Sequence, residues 1–147
     1  MKVLDSVETI LKEKGGEIWF VDPGATVYEA LEIMADKRVG ALLVMNGDRL
    51  VGVVSERDYA RKIILSGRSS KTTAVSDIMS SPVRTIGSDT TVDDAMRLMT
   101  EHRIRHLPVM SGNKVEGVVS LGDLVKWIIT SHEQTIEQLE SYISGRV

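Results

Sequence analysis

Apolar residues recur along this chain with two periods. Val3, Leu4, Val7, Ile10 and Leu11 stand at helical spacing ahead of Gly15-Gly16, which predicts a short amphipathic helix with a glycine stop. Ile18-Trp19-Phe20-Val21 predicts a short strand, and Asp22-Pro23-Gly24 a turn. After Thr26, the residues Val27, Ala30, Leu31 and Met34 form one apolar helix face at i, i+3, i+4 and i+7. The unbroken apolar run Val39 to Met45 predicts a strand covered on both faces, and Asn46-Gly47 a tight hairpin turn into Leu50 to Val54. Ser55 then caps a helix that carries Tyr59, Ile63 and Ile64 and stops at Gly67.

This strand, helix, strand, strand, helix unit is written twice. A shift of 65 maps Thr26-Val27 onto Thr91-Val92, Ala30 onto Ala95, Met34 onto Met99, Leu42 onto Leu107, Val44 onto Val109 and Gly47 onto Gly112. The same shift maps Gly52-Val53-Val54-Ser55-Glu56-Arg57-Asp58 onto Gly117-Val118-Val119-Ser120-Leu121-Gly122-Asp123. Agreement at helix faces, turns and strand ends signals an internal duplication. The expected organisation is an N-terminal helix (1–17), a first unit (18–66), a linker (67–80) that starts polar and passes through a short apolar turn at Val75 to Met79, a second unit (81–131) and a C-terminal helix (132–147) with Ile136, Leu139 and Ile143 on one side. The fold class expected is α/β (α+β), the units related by a pseudo-two-fold axis that leaves two related clefts. The terminal helices offer apolar surface suited to self-association.

Each Gly-Val-Val-Ser-x-x-Asp segment reads as a strand running directly into a helix. Such a junction gathers backbone N–H groups, the positive end of a helix dipole, a hydroxyl and a carboxylate, a setting for a phosphorylated, hydroxyl-bearing ligand. The same residues also make a capping box, which stabilises a helix with no ligand. Thr26 to Glu29 and Thr91 to Asp94 resemble such caps without the preceding Gly-Val-Val, so a cap alone carries little meaning.

Composition narrows the class. With 147 residues, 42% of them hydrophobic, the chain suits one compact domain burying on the order of 70% of its unfolded surface. No cysteine is present, which removes disulfides, thiolate metal sites and cysteine nucleophiles and fits a reducing compartment. A net charge of −3 with interspersed signs gives no basic stripe for nucleic acid or anionic membrane. Acids near the N-terminus and the lack of long apolar runs predict a cytoplasmic protein without a signal peptide. His102 and His106 are four apart but straddle a helix end and a strand, so no metal is expected. Trp19 and Trp127 read as core or interface aromatics. No nucleophile with an adjacent base and no P-loop appears, so the chain is not read as an enzyme and no catalytic cofactor is expected.

The paired Gly-h-h-Ser-x-x-Asp segments (h, apolar), with Val39 to Val44 and Ile104-Arg105-His106-Leu107-Pro108-Val109 as middle strands, resemble the CBS domain pair, or Bateman module, of a stand-alone bacterial or archaeal type. The likeness covers about residues 18 to 131. It implies a regulatory sensor that binds AMP, ADP, ATP, NAD or S-adenosylmethionine in the clefts between its units and signals to an unknown effector protein, as a homodimer. It further implies that Asp58 and Asp123 take the ribose hydroxyls, and that Ser55, Ser120, Arg57, Arg105 and His106 face phosphate. Ile18, Val39 and Gly40, with Val83, Ile104, Arg105 and Pro108, would line the adenine slots. The copies differ, Arg57 against Gly122 and Gly40-Ala41 against Arg105-His106, so unequal clefts are expected. The alternative is a ligand-independent dimerisation adaptor whose Ser-x-x-Asp motifs are only helix caps.

Overall fold

The computed structural model describes residues 5–15 and 17–143; Val3, Leu4, Gly16 and 144–147 lie outside the described residues, as does the side chain of Leu139. Along the chain run α1 (Val7–Lys14), β1 (Phe20–Val21), α2 (Val27–Lys37), β2 (Ala41–Asn46), β3 (Arg49–Ser55), α3 (Glu56–Tyr59), β4 (Ile86–Gly87), α4 (Val92–His102), β5 (His106–Ser111), β6 (Lys114–Ser120) and α5 (Leu121–Ile143). Contacts divide them into two compact units, one formed by Glu17–Thr85 with Gly112–Val115 and the other by the rest of the described residues. Each contains a three-stranded sheet, β1-β2-β3 or β4-β5-β6, so the architecture is mixed α+β.

In the first unit β1 runs parallel to β2, and β2 pairs antiparallel with β3 through a turn whose Gly47 has φ 63°. That turn needs a left-handed residue, which glycine adopts without a Cβ clash. Helix α2 is capped by Thr26, whose hydroxyl accepts from Glu29 N–H, and it buries Val27, Ala30 and Met34 against Leu42, Val44 and Val54. Val75 and Ile78 join the same core. Residues 75–79, expected as a short apolar turn within the linker, therefore pack into this core. Val75 N–H donates to Ala25 O (2.8 Å), Val27 N–H to Thr73 O (2.9 Å) and Ser80 N–H to Val53 O (2.9 Å).

The second unit repeats this plan with a segment from elsewhere. Its core joins Val92, Ala95, Met99, Leu107, Val109, Val119 and Leu124 to Val7 and Ile10 of the N-terminal region. Val7 N–H donates to Thr90 O and Val92 N–H to Asp5 O, both at 2.8 Å. Residues 5–11 thus do for this unit what 73–79 do for the first, at an offset of 68 in place of 65. Each body is completed by the segment that precedes the other repeat in sequence.

The expected break between a second-unit helix and a separate tail helix does not occur, because α5 is one helix of 23 residues. The first-repeat helix, which passes through a π-helical turn at Ala60–Ile64, stops near Gly67, whose φ is 73°. His132 stands in place of Gly67, and no Gly or Pro follows until Gly145, so nothing ends the helix.

Candidate functional site

Both Ser-x-x-Asp junctions are complete capping boxes. Asp58 N–H donates to Ser55 Oγ (3.2 Å), while Asp58 Oδ2 accepts from Ser55 N–H (2.9 Å) and from Ser55 Oγ (3.1 Å). In the second copy Asp123 N–H donates to Ser120 Oγ (3.1 Å) and Asp123 Oδ2 accepts from Ser120 N–H (2.8 Å). At Thr26 and Thr91 the hydroxyl accepts a helix N–H, and no reciprocal acid bond is present among the described residues. The two Ser/Asp pairs are therefore chemically distinct from ordinary caps in this chain. Their carboxylates are held inward, with side chains only 15% (Asp58) and 25% (Asp123) exposed.

Each carboxylate also meets a lysine that the sequence motifs do not include. Lys62 Nζ lies 3.3 Å from Asp58 Oδ1 and donates to Ile78 O (2.8 Å). In the second copy the place of Lys62 is taken by Trp127, whose Nε1–H donates to Asp5 Oδ2 (2.9 Å). The lysine there comes from α1, and Lys14 Nζ donates to Asp123 Oδ2 (2.8 Å) and to Val118 O (3.0 Å). Burial pushes the Asp123 carboxyl up, but the Lys14 hydrogen bond and charge, with the Ser120 N–H and hydroxyl, outweigh it and hold the pKa below its ordinary 3.8. Lys62 could have been found from its i+4 spacing to Asp58. Lys14, 109 residues from Asp123, could not.

Strand pairing brings part of each predicted site together. Ala41 is registered against Ser55, and Glu56 N–H donates to Gly40 O (3.0 Å), so Gly40 abuts the start of α3. Because β1 runs parallel to β2 with Phe20 opposite Leu43, Ile18 enters the sheet at the same end, where Val39 also lies half-buried. Arg57, in the first turn of α3, is half-buried.

In the second unit Leu121 N–H donates to Arg105 O (2.8 Å). Arg105, His106, Ser120 and Gly122 line one groove of about 680 Å³ that continues along α5 past Val125, Lys126 and Ile129. Asp123 instead lines a smaller cavity of about 160 Å³ with Lys14, Glu13 and Trp127. The candidate phosphate residues of this copy are thus gathered, and the candidate ribose acceptor faces a different cavity. Ile104 packs half-buried on the second core, and Pro108 is buried within β5. Pro108 stands where Leu43 donates to Trp19 O in the first sheet, so the second sheet lacks that bond. Val83 is assigned to the unit that holds the first repeat, and Ile104 and Pro108 to the other.

Trp19 packs on the first core with Lys37 Nζ 4.5 Å from its ring centroid. Among the described residues no group of three or more His, Asp or Glu could hold a metal, His102 and His106 included. No helix among them is long and apolar enough to cross a membrane.

Two α+β units, each with a strand running into a Ser-x-x-Asp-capped helix, define a tandem-repeat module, and the chain belongs to the CBS domain family, whose model matches residues 15–65 and 75–130. Among relatives, it is 40% identical to the mitochondrial CBS domain-containing protein CBSX3 of Arabidopsis thaliana, over 95% of this chain and 72% of that one. A solved protein with CBS domains from Burkholderia ambifaria is 49% identical with a TM-score of 0.83, over 86% of this chain and 95% of that one. The CBS domain pair of protein MJ0100, solved with 5′-methylthioadenosine and S-adenosyl-L-methionine, shares the fold at 22% identity and a TM-score of 0.78, over 87% and 98% of the two chains.

Proposed function

We propose that this chain is a non-catalytic regulatory module that binds an adenosine-containing nucleotide, AMP, ADP, ATP or NAD, and passes its occupancy to a partner protein. The observation that carries the reading is the twice-built junction, in which a serine hydroxyl and a mostly buried carboxylate are fixed at a strand-to-helix turn. An ionised carboxylate is an acceptor-only group, suited to a pair of ribose hydroxyls. In the second copy the grouping of Arg105, His106 and Ser120 on one groove supports phosphate binding beside the junction. Both small molecules solved with the MJ0100 domain pair carry adenosine, so an adenosine moiety is chemically reasonable for this fold. Ribose binding would compete with Lys62 at Asp58 Oδ1 and would approach Asp123 from Oδ1, since the Ser120 and Lys14 bonds both fall on Oδ2. Ligand would thereby loosen the Lys62 contact in the first unit and leave the Lys14 contact of the second in place, which supplies the differential interaction that a regulatory shift requires.

A second reading, a ligand-independent adaptor, is favoured by the same bonds, because boxes and lysines already occupy both carboxylates. Calorimetric titration with AMP, ATP and NAD separates the two, with mass spectrometry of small molecules that co-purify. Saturable heats with at least one nucleotide support the sensor. Flat isotherms with all three at millimolar concentration overturn it in favour of the adaptor.

A further inference from the structure

Within the second unit, α1 and the start of α5 border a cavity of about 160 Å³. Ile10, Glu13 and Lys14 line it from α1, and Asp123, Lys126 and Trp127 from α5, in each case residues three and four apart that share one helix face. Two acid–base pairs therefore lie across the same gap. Lys14 and Asp123 close theirs at 2.8 Å. Glu13 and Lys126 do not close theirs, and among the described residues neither side chain has a hydrogen-bond or ion-pair partner.

The chemistry of the lining selects an occupant. Two carboxylates and two ammonium groups leave no net charge, so a simple anion or cation meets as much repulsion as attraction, whereas one molecule carrying both signs satisfies Glu13 and Lys126 together. Size excludes a nucleotide, because pockets for ligands of that bulk run to about 300–1,000 Å³. The rest of the wall is apolar and fixed. Ile10 is buried, and the Trp127 ring is held by its Nε1–H bond to Asp5 (2.9 Å). Thr130, also in the lining, donates its hydroxyl proton to Lys126 O (3.0 Å), which leaves its oxygen able to accept from an ammonium. We infer that this cavity binds a free α-amino acid with an aliphatic side chain, its ammonium on Glu13, its carboxylate on Lys126 and its side chain against Ile10 and Trp127. The site needs no nucleotide, since Asp123 enters only as the group that neutralises Lys14.

Calorimetry with L-leucine and its two truncated forms reads each charge in turn. Isocaproate lacks the ammonium and isoamylamine lacks the carboxylate. The wild type is expected to bind L-leucine saturably and each truncated probe about ten- to a hundredfold more weakly, the loss of one charged hydrogen bond. Glu13→Gln is expected to weaken L-leucine by a similar factor and leave isocaproate unchanged, and Lys126→Gln to weaken L-leucine and leave isoamylamine unchanged. Both side chains are exposed, so the fold is expected to persist, and the unfolding midpoint without ligand checks it. Flat wild-type isotherms with L-leucine, L-isoleucine and L-methionine at millimolar concentration overturn the inference. So does L-leucine affinity that either variant leaves unchanged, or isocaproate that binds as tightly as L-leucine.

Discussion

Lys14 and Asp123, 109 residues apart, meet at 2.8 Å between Nζ and Oδ2. The bond ties α1 to the start of α5 and rests on a carboxylate that also closes the Ser120 capping box. Helix entry, the docking of the N-terminal segment and a candidate ligand contact therefore share one carboxylate.

That sharing gives stability a defined pH response. The Asp123 carboxyl has a pKa lowered from the ordinary 3.8, so its contribution to stability is present above that value and is lost as pH falls through the lower folded-state value. Urea unfolding of wild type and Asp123→Asn is expected to show a gap at pH 7 that narrows as the pH is taken below 3.8. A gap independent of pH would contradict the assignment. Lys14→Met is expected to move the acid limb of the wild-type curve to higher pH.

Nucleotide affinity should depend unequally on the two acids. A hydrogen bond to a charged group is worth about 1.5 to 3 kcal/mol, so Asp→Asn at an occupied ribose site is expected to weaken AMP binding roughly ten- to a hundredfold. Asp58→Asn and Asp123→Asn are expected to differ by about several-fold, since Lys62 sits on Oδ1 of one carboxylate and Lys14 on Oδ2 of the other. Asparagine keeps an acceptor oxygen and nearly the same shape. Calorimetry alongside the unfolding midpoint separates ribose recognition from lost capping, itself worth about 1 kcal/mol. Identical sites and identical losses would remove the asymmetry.

Two glycines should refuse a methyl group for the same reason. A Cβ on Gly52 would run into the side chain of Met79, with Cγ at 2.9 Å and Cβ at 3.2 Å, and one on Gly117 would meet Leu11 Cδ2 at 2.8 Å. Overpacking of this kind costs about 1–3 kcal/mol. Gly52→Ala is expected at the upper end, because it meets three atoms of the methionine including its Cβ, and Gly117→Ala at the lower end, where the nearest atoms are leucine methyls. Denaturant midpoints check the order.

Ile78 tests whether the segment ahead of the second repeat is core or connector. It is 1% exposed, and Ile→Ala at such a site costs about 2–5 kcal/mol, whereas a substitution in a solvated linker stays within about 0.5 kcal/mol. A large loss for Ile78→Ala, matched by Ile10→Ala at the corresponding position of the other unit, is the expected result.

The leading segments also mark where local pattern stops being informative. Val7-x-x-Ile10-Leu11 and Val75-x-x-Ile78-Met79 share a pattern at an offset of 68, whereas the repeat bodies align at 65, so one shift does not align both. The shared pattern is present in the residues. What they do not carry is that each segment packs on the repeat it does not lead into, because an apolar stripe specifies only that it must be covered.

By itself the sequence determined the duplicated order of strands and helices, the glycine turns at Gly47 and Gly112, the Thr and Ser helix starts and membership of the CBS family, since periodicity, caps and turns act within a few residues. The tertiary structure decided which lysine reaches which carboxylate and placed Asp123 and Ser120 on different cavities. It also set Arg38 and Arg103 in the left-handed conformation at the ends of α2 and α4, positions that no local glycine signalled. These outcomes depend on contacts between segments tens of residues apart, whose geometry is fixed only once the cores have packed.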